Sequence, residues 1–190
     1  NFKEDSKLTY IGYNAFRECT SLEQFIMPNT VTNLGTYNNY VDNECGTFYG
    51  CTNLEKLHFS DALSTLEQSV CYNCFNLKDV HLPQNISSIR DYAFYKTSSL
   101  RKIELPASLK TIDYRAFYQC GIDSVKLPIT MSALGNYAFQ ECRNLKYVEL
   151  PSYIGNYDRN FSGCSSILKI VSKSATPPII SNDPFSNGPS

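Results

Sequence analysis

One aromatic position recurs along this chain at a nearly fixed interval, and this recurrence constrains the fold more than any other feature. The steps between its successive occurrences are 32, 23, 23, 23, 22 and 22 residues. The members of this phenylalanine column are Phe16, Phe48, Cys71 in place of phenylalanine, Phe94, Phe117, Phe139 and Phe161. A fixed period of about 20 to 50 residues is typical of proteins whose repeats stack on one another. The sequence therefore predicts a solenoid of about seven repeats of 22 to 23 residues, with one insertion of nine residues.

Each repeat also carries a short apolar pattern after the phenylalanine column. In the fourth repeat, residues 100–106 read Leu-x-x-Ile-x-Leu-Pro. Alternation with a period of two is typical of a strand with one buried face, and proline, which has no N–H, ends the strand. Two more apolar columns, which include Leu109 and Ile112, return the chain under the sheet. We expect the Ala-Phe pair of each repeat to begin a helical turn or a short helix on the opposite side.

These motifs resemble the BspA-like class of leucine-rich repeat. The segments that carry the resemblance are Leu77-x-x-Val80-x-Leu82-Pro83, Ala116-Phe117-x-x-Cys120 and Ile89-x-x-Tyr92-Ala93-Phe94. The match extends from about Leu8 to Phe185. The resemblance implies an α/β solenoid, a right-handed coil with a parallel concave sheet and short helices or turns on the convex side. It also implies an extracellular or cell-surface protein that adheres to other proteins, with host matrix or cell-surface proteins as partners.

The phase of the repeats predicts the domain organisation. We interpret residues 1–190 as a single repeat domain. Phe2, Leu8 and Ile11 fall in the apolar columns, so we expect the chain to begin inside a further repeat and to be part of a longer protein. Residues 173–190 resemble the ends of such arrays in gut bacteria, and we expect this segment to cap the array or to act as a linker.

Charge and motif content exclude several functional classes. Lysine and arginine number 17 against 18 aspartate and glutamate residues, and the net charge of -1 disfavours nucleic acid and anionic membranes as partners. No apolar run approaches the roughly 18 residues of a membrane-spanning helix. The sequence has no glycine-rich phosphate loop, nucleophile elbow or paired acid site. We therefore expect a protein-binding module that is not an enzyme and has no cofactor, and a passive spacer in a larger surface protein is the alternative.

Six of the eight cysteines share one repeat position, three residues after the phenylalanine column, and Thr97 fills that position in the fourth repeat. They are Cys19, Cys51, Cys74, Cys120, Cys142 and Cys164. Cys74 and Cys120 lie two repeats apart, close to 10 Å on the spacing of strands, which exceeds the roughly 7 Å limit for a disulfide. We expect a ladder of buried, reduced thiols. Cys45 ends the insertion, and a bridge from it to Cys71 or Cys51 remains open.

Two surfaces are candidates for binding. Four consecutive repeats place a tyrosine directly after the phenylalanine column, at Tyr49, Tyr72, Tyr95 and Tyr118. Such a stripe serves either as an adhesive surface or as packing between repeats. The insertion from Thr36 to Glu44 contains Tyr37, Asn38, Asn39, Tyr40 and Asp42. Insertions in repeat proteins often form loops on the binding face.

One outward-facing column of the expected concave sheet contains both histidines of the chain. His58, His81 and Glu104 would lie on adjacent strands about 5 Å apart, and two imidazoles with a carboxylate are suitable ligands for a divalent ion. The simpler interpretation is that three solvated polar side chains share a face, and we assign no metal site from the sequence. The mixed charges of this face suit the recognition of proteins.

Overall fold

The structure is a computed structural model that describes residues 2, 5–36, 45–152, 157 and 159–173. Two sets of residues singled out in the sequence lie outside these ranges. The first is the set of insertion residues Tyr37, Asn38, Asn39, Tyr40 and Asp42, and the second is the stretch 174–190 of the expected C-terminal segment.

Within the described residues the chain forms a solenoid of short parallel strands, usually two in each repeat. The strands are β1 (Tyr10–Ile11), β2 (Gln24–Ile26), β3 (Asn33–Leu34), β4 (Lys56–His58), β5 (Thr65–Leu66), β6 (Asp79–His81), β7 (Ser88–Ile89), β8 (Thr111–Ile112), β9 (Ser124–Lys126), β10 (Ala133–Leu134), β11 (Tyr147–Leu150) and β12 (Lys169–Ser172). The prediction of a repeat solenoid of about seven turns is confirmed.

The strands belong to two sheets on different sides of each coil. The front sheet has two hydrogen-bonded groups of strands, β2-β4-β6 and β9-β11-β12. The back sheet also has two such groups, β1-β3 and β5-β7-β8-β10. Within each of these groups, neighbouring strands are equivalents from adjacent repeats and pair in parallel, for example Leu57 with Val80 and Ile89 with Ile112. In β4 and β9 the central side chain, Leu57 or Val125, is buried while its neighbours face outward. The period-two pattern of the sequence is thereby confirmed.

A file of aromatic rings fills the interior. The rings of Phe94, Phe117, Phe139 and Phe161 are fully buried. Successive ring centroids lie 5.1, 5.1 and 5.5 Å apart, and the ring planes are parallel to within 9°. Equivalent side chains of neighbouring repeats therefore share one core, as a solenoid requires.

The expected α/β class and its short helices are wrong, because the described residues contain no helix. Turns surround the phenylalanine column, and we call them the turn wall (residues 13–18, 47–50, 68–73, 91–96, 114–119, 136–141 and 160–163). Residues two after the column have positive φ in all seven repeats and residues two before it in the last five, as at Lys96 (58°) and Tyr92 (57°). A left-handed residue interrupts a right-handed helix. With no helix among these residues, none is long and apolar enough to cross a membrane.

The turn wall also uses its backbone donors between repeats instead of within a helix. The Phe94 N–H donates to the carbonyl of Ala116 at 2.7 Å, and the Phe117 N–H donates to that of Ala138 at 2.8 Å. Equivalent bonds begin at Phe16, Phe48, Cys71 and Phe139. These N–H groups are consequently not available for the i to i−4 bonds of a helix.

The cysteine ladder is confirmed for five of its six members. Cys51, Cys74, Cys120, Cys142 and Cys164 are buried. Four of these thiols donate to the aromatic carbonyl of the preceding repeat, as Cys142 Sγ does to the Phe117 carbonyl at 3.0 Å. Burial raises the pKa of the Cys120 thiol to about 11.

Cys19 contradicts the expected burial, because its side chain is exposed. It lies in the first turn, and no earlier repeat of the described chain covers it. All eight thiols are free in the structure, so neither bridge considered for Cys45 is present.

Candidate binding surfaces

The predicted tyrosine stripe exists, and its rings stack on one another. The centroids of Tyr49, Tyr72, Tyr95 and Tyr118 lie 4.9, 4.3 and 4.7 Å apart in sequence order, and the planes are within 14° of parallel. Tyr49 is buried and the other three are half-buried. Burial raises the pKa of both Tyr72 and Tyr118. Because neighbouring rings cover each other's faces, this geometry favours packing between repeats over an open adhesive surface.

A second tyrosine file on the turn wall was missed from the sequence. Tyr92, Tyr114 and Tyr137 contact one another edge to face, with centroids 5.4 and 5.8 Å apart. The Arg115 guanidinium lies 5.1 to 5.4 Å from the ring centroids of Tyr114, Tyr118 and Tyr137. The file was hidden because Tyr114 stands one place out of phase, three residues before Phe117. Its steps of 22 and 23 residues were the available signal.

The front sheet is interrupted in the fourth repeat. In the junction between β4 and β6, the Phe59 N–H donates to the His81 carbonyl and the Lys78 N–H donates to the Glu55 carbonyl. The equivalent donors one repeat later are Leu82, which would bond to the next coil, and Arg101, which would bond back to the preceding coil, and neither bond is present. Residues 101–105 accordingly form no strand. We call this gap between β6 and residues 101–105 the front junction.

A cleft lies at the front junction. Its volume is about 480 Å³, and its lining includes Lys78–Leu82, Gln84, Lys102 and Glu104. Inward-facing Val80 and Leu105 are only half-buried there. The equivalent side chains of neighbouring repeats, such as Leu57 and Leu127, are buried. The cleft therefore combines apolar side chains, charged side chains and unpaired backbone groups.

Lys78 and Arg101, on the two sides of the front junction, form ion pairs that point away from the gap. Lys78 Nζ lies 2.7 Å from Glu55 Oε1 on one side, and Arg101 Nη1 lies 3.7 Å from Asp123 Oδ1 on the other. Lys78 and Arg101 hold equivalent positions in adjacent repeats, and like charges opposite each other disfavour strand pairing. The ion pairs thus support each half of the front sheet without closing the junction.

The two histidines meet on the front sheet as predicted. His58 and His81 are registered partners on β4 and β6, and their ring centroids are 3.9 Å apart. Glu104, the third candidate, lines the same cleft as His81 but lies outside the ligand cluster and pairs with Lys102 at 2.8 Å. Asp61 takes its place, with Oδ1 3.0 Å from His81 Nε2. Each of His58, Asp61 and His81 offers one ligand atom, and these three atoms all lie within 4.8 Å of one another.

Asp61 was missed because it lies beyond the strand, outside every repeat column. The sequence did contain one indication of an unusual turn here, at the residue just before Asp61. Ser60 stands where five of the other repeats have proline after the strand. Ser60 is fully buried. Burial lowers the pKa of His58, and the neighbouring His81 acts in the same direction. This effect favours a neutral His58 ring, which is the form that binds metals.

Known proteins share both the sequence pattern and the fold. A family model described as the BspA type leucine rich repeat region matches six copies over residues 1–68, 38–146 and 64–189. A leucine-rich repeat protein of T. pallidum (TpLRR) is 26% identical, with a TM-score of 0.75 over 90% of this chain and 77% of that one.

Two further solved structures share the fold at lower identity. A leucine-rich repeat protein of Bacteroides ovatus is 21% identical, with a TM-score of 0.66 over 93% of this chain and 55% of that one. The pneumococcal vaccine antigen PcpA is 23% identical, with a TM-score of 0.62 over 92% and 51%. The chain spans about half the length of these two proteins. No curated protein sequence matches it. The family model covers nearly every residue, and the chain therefore belongs to the BspA-type leucine-rich repeat family.

Proposed function

We propose that this chain is a protein-binding module of an extracellular or cell-surface protein and that the front junction receives an extended segment of its partner. The observation that carries the proposal is the missing pair of backbone hydrogen bonds beside β6. A leucine-rich-repeat solenoid is typically a non-enzymatic scaffold, and solenoids use extended surfaces for binding.

Backbone geometry supplies the binding edge. Asp79 N–H and His81 C=O bond toward β4. Because backbone groups alternate in direction along a strand, those of Val80 and Leu82 face the cleft. An extended segment that adds to such an edge gains main-chain hydrogen bonds, and its alternate side chains enter neighbouring pockets.

Side chains around the cleft suit a protein of mixed charge. Lys78 and Lys102 face it together with Asp79 and Glu104, while Val80 offers a half-buried apolar contact. The volume of about 480 Å³ is in the range of ligand-binding cavities. A strongly charged polymer would meet carboxylates and ammonium groups alike, so a protein segment fits better.

The family and a structural neighbour support an extracellular location. Proteins of the BspA-like class are often surface-exposed or secreted, and one neighbour is a vaccine antigen of pneumococcus. We accordingly place the chain outside the cell and propose host matrix or cell-surface proteins as partners.

Two further contact surfaces belong to the proposal. The insertion residues Tyr37, Asn38, Asn39, Tyr40 and Asp42 are candidates because insertions often line binding faces. The outer edges of the tyrosine stripe (Tyr49, Tyr72, Tyr95 and Tyr118) are weaker candidates, because stacking already occupies the ring faces.

A matched pair of variants tests the front junction. Val80→Pro removes an N–H that faces the cleft, whereas Val80→Ala shortens the side chain and keeps the N–H. Neither variant changes a donor or acceptor of the Phe59–His81 and Lys78–Glu55 backbone bonds between β4 and β6. Binding is measured by biolayer interferometry on a panel of immobilised extracellular-matrix proteins and by flow cytometry on intact cells. We expect Val80→Pro to bind at least about tenfold more weakly than Val80→Ala. A tenfold loss of affinity corresponds to about 1.4 kcal/mol of binding free energy, which is in the range of one lost hydrogen bond.

The outcomes separate three models. Equal binding by both variants, with loss on replacing residues 36–44 by the normal repeat spacing, would move the contact to the insertion. Loss on Tyr72→Ser alone would move it to the tyrosine stripe. If the unaltered chain binds no member of the panel and no cell, the passive spacer becomes the better description.

A further inference from the structure

We propose that His58, Asp61 and His81 bind one divalent transition-metal ion of the zinc type on the front sheet. The observations that support this site do not depend on the proposed contact with a partner, although His81 also lines the cleft at the front junction. Three residues from two repeats contribute, so the site exists only because the repeats stack in register.

The three side chains form a suitable ligand set. Two imidazole nitrogens and one carboxylate oxygen are ligands that zinc and related first-row metals accept. Ligand atoms around a tetrahedral zinc ion with bonds of about 2.0 to 2.1 Å lie roughly 3.3 Å apart. The contact of 3.0 Å between His81 Nε2 and Asp61 Oδ1 is close to this value. The remaining separations, at most 4.8 Å, close by small side-chain rotations.

The backbone positions of all three ligands are fixed. His58 and His81 are paired across β4 and β6 in parallel register. The turn that presents Asp61 is held on both sides, because the Asp61 N–H donates to Asn29 Oδ1 at 3.1 Å and the Leu63 N–H donates to the carbonyl of buried Ser60 at 3.1 Å. Little backbone ordering is then needed when an ion binds.

The exposure of the ligands defines the kind of site. The His81 side chain is 38% exposed and that of Asp61 is 49% exposed. Three protein ligands leave a fourth tetrahedral position for water, which is the arrangement of an open zinc site. Two nitrogen ligands disfavour calcium and magnesium, which prefer oxygen. The structure thus assigns a surface site for an exchangeable ion of borderline softness.

The test uses the unaltered chain and the metal alone. Only two histidines are present, so the imidazole region of a proton NMR spectrum contains two sets of signals that titration with ZnCl2 follows directly. We expect both to shift together and to saturate near one equivalent. Co²⁺ is the second probe. We expect visible bands of a nitrogen and oxygen site without the charge-transfer band of a thiolate, which excludes binding at exposed Cys19.

Variants then assign the ligands by calorimetry. We expect His58→Asn, Asp61→Asn and His81→Asn each to lower zinc affinity at least about tenfold. Glu104→Gln is the matched control, an acidic residue on the same face that lies outside the cluster, and its affinity should be unchanged. Urea unfolding verifies that each variant remains folded.

Three results would overturn the proposal. One is the absence of zinc uptake and of histidine shifts at concentrations up to about 100 µM. Another is undiminished affinity in a folded His81→Asn variant. The third is a cobalt spectrum dominated by thiolate. None of these results bears on the front junction, because the Val80 variants measure that contact separately.

Discussion

The back sheet and the front sheet cross the same repeats in different ways. Between the third and fourth repeats, β7 and β8 pair without interruption, with Ile89 opposite Ile112. On the front, the same two repeats are open between β6 and residues 101–105. The repeats are therefore held together from behind while one of their front edges stays free.

This difference shows that the coil does not need both sheets to be closed. At the open repeat, Phe94 and Phe117 still stack at 5.1 Å, and the Phe94 N–H still bonds to the carbonyl of Ala116. Thr97 also donates its hydroxyl to Cys120 Sγ of the next repeat at 3.2 Å. The interior and the turn wall thus provide the continuity, which leaves the front sheet free to carry a gap and a binding edge.

The largest effect should come from breaking the interior file. Phe117→Ala removes a fully buried ring that stacks on both Phe94 and Phe139, and we expect the free energy of unfolding to fall by about 4 kcal/mol in urea denaturation. Phe75→Ala is the control, because the Phe75 ring is 40% exposed. This substitution should lower the free energy of unfolding by about 1 kcal/mol or less. Similar losses for both variants would mean that the shared core is not what joins the repeats.

Next in size is the difference in hydrogen exchange across the front sheet. The amides of Leu82 and Arg101 lack the bonds that Phe59 and Lys78 make at equivalent positions. We expect Leu82 and Arg101 to exchange about 100-fold faster, a difference of roughly 3 kcal/mol in opening free energy. Two-dimensional NMR after transfer into D2O measures all four amides in one sample. Equal protection would show that the front junction is closed in solution.

Sequence reasoning recovered what repeats and missed what each repeat does alone. The columns that include Phe117, Leu57 and Cys142 were readable because most coils bury the same position. For the turn wall the sequence left short helices and turns open, and the described residues contain turns. Apolar periodicity could not decide between them, because it does not show the positive φ of Tyr92 or Lys96.

The sites depended on departures from the repeat. The two histidines were found because they share a repeat column. Asp61 stands outside all columns, and only the turn after β4 in the structure brings it into the ligand cluster. The front junction depends on hydrogen bonds that are absent between residues of ordinary type. No single residue of the sequence therefore predicted the front junction.

A smaller effect should separate packing from adhesion on the turn wall. Tyr72 stacks between Tyr49 at 4.9 Å and Tyr95 at 4.3 Å. We expect Tyr72→Leu to lower the free energy of unfolding by about 2 kcal/mol, since each aromatic pair contributes about 0.5 to 1.5 kcal/mol beyond its buried area. Tyr10→Leu, at a position 54% exposed, should cost less than about 0.5 kcal/mol. A neutral Tyr72→Leu would favour the adhesive interpretation.

The smallest effect concerns pH and the thiol beside the open repeat. Burial raises the pKa of Cys120 from 9.0 to about 11, so the folded chain holds this proton over a range where the unfolded chain loses it. Its contribution to stability is complete below about pH 9 and is lost as the pH rises toward about 11. Between about pH 8 and about pH 10, Cys120 alone should lower the free energy of unfolding by about 1 kcal/mol.

Cys120→Thr isolates this contribution. Threonine already fills the same column at Thr97, where it is fully buried, so the side chain fits the interior and does not titrate. Urea denaturation at the two pH values should show a decline about 1 kcal/mol smaller in Cys120→Thr than in the unaltered chain, because the other titrating groups are common to both. An identical decline would mean that the Cys120 thiol loses its proton in the folded chain as readily as in the unfolded chain, and burial in the stacked repeats would then not raise its pKa.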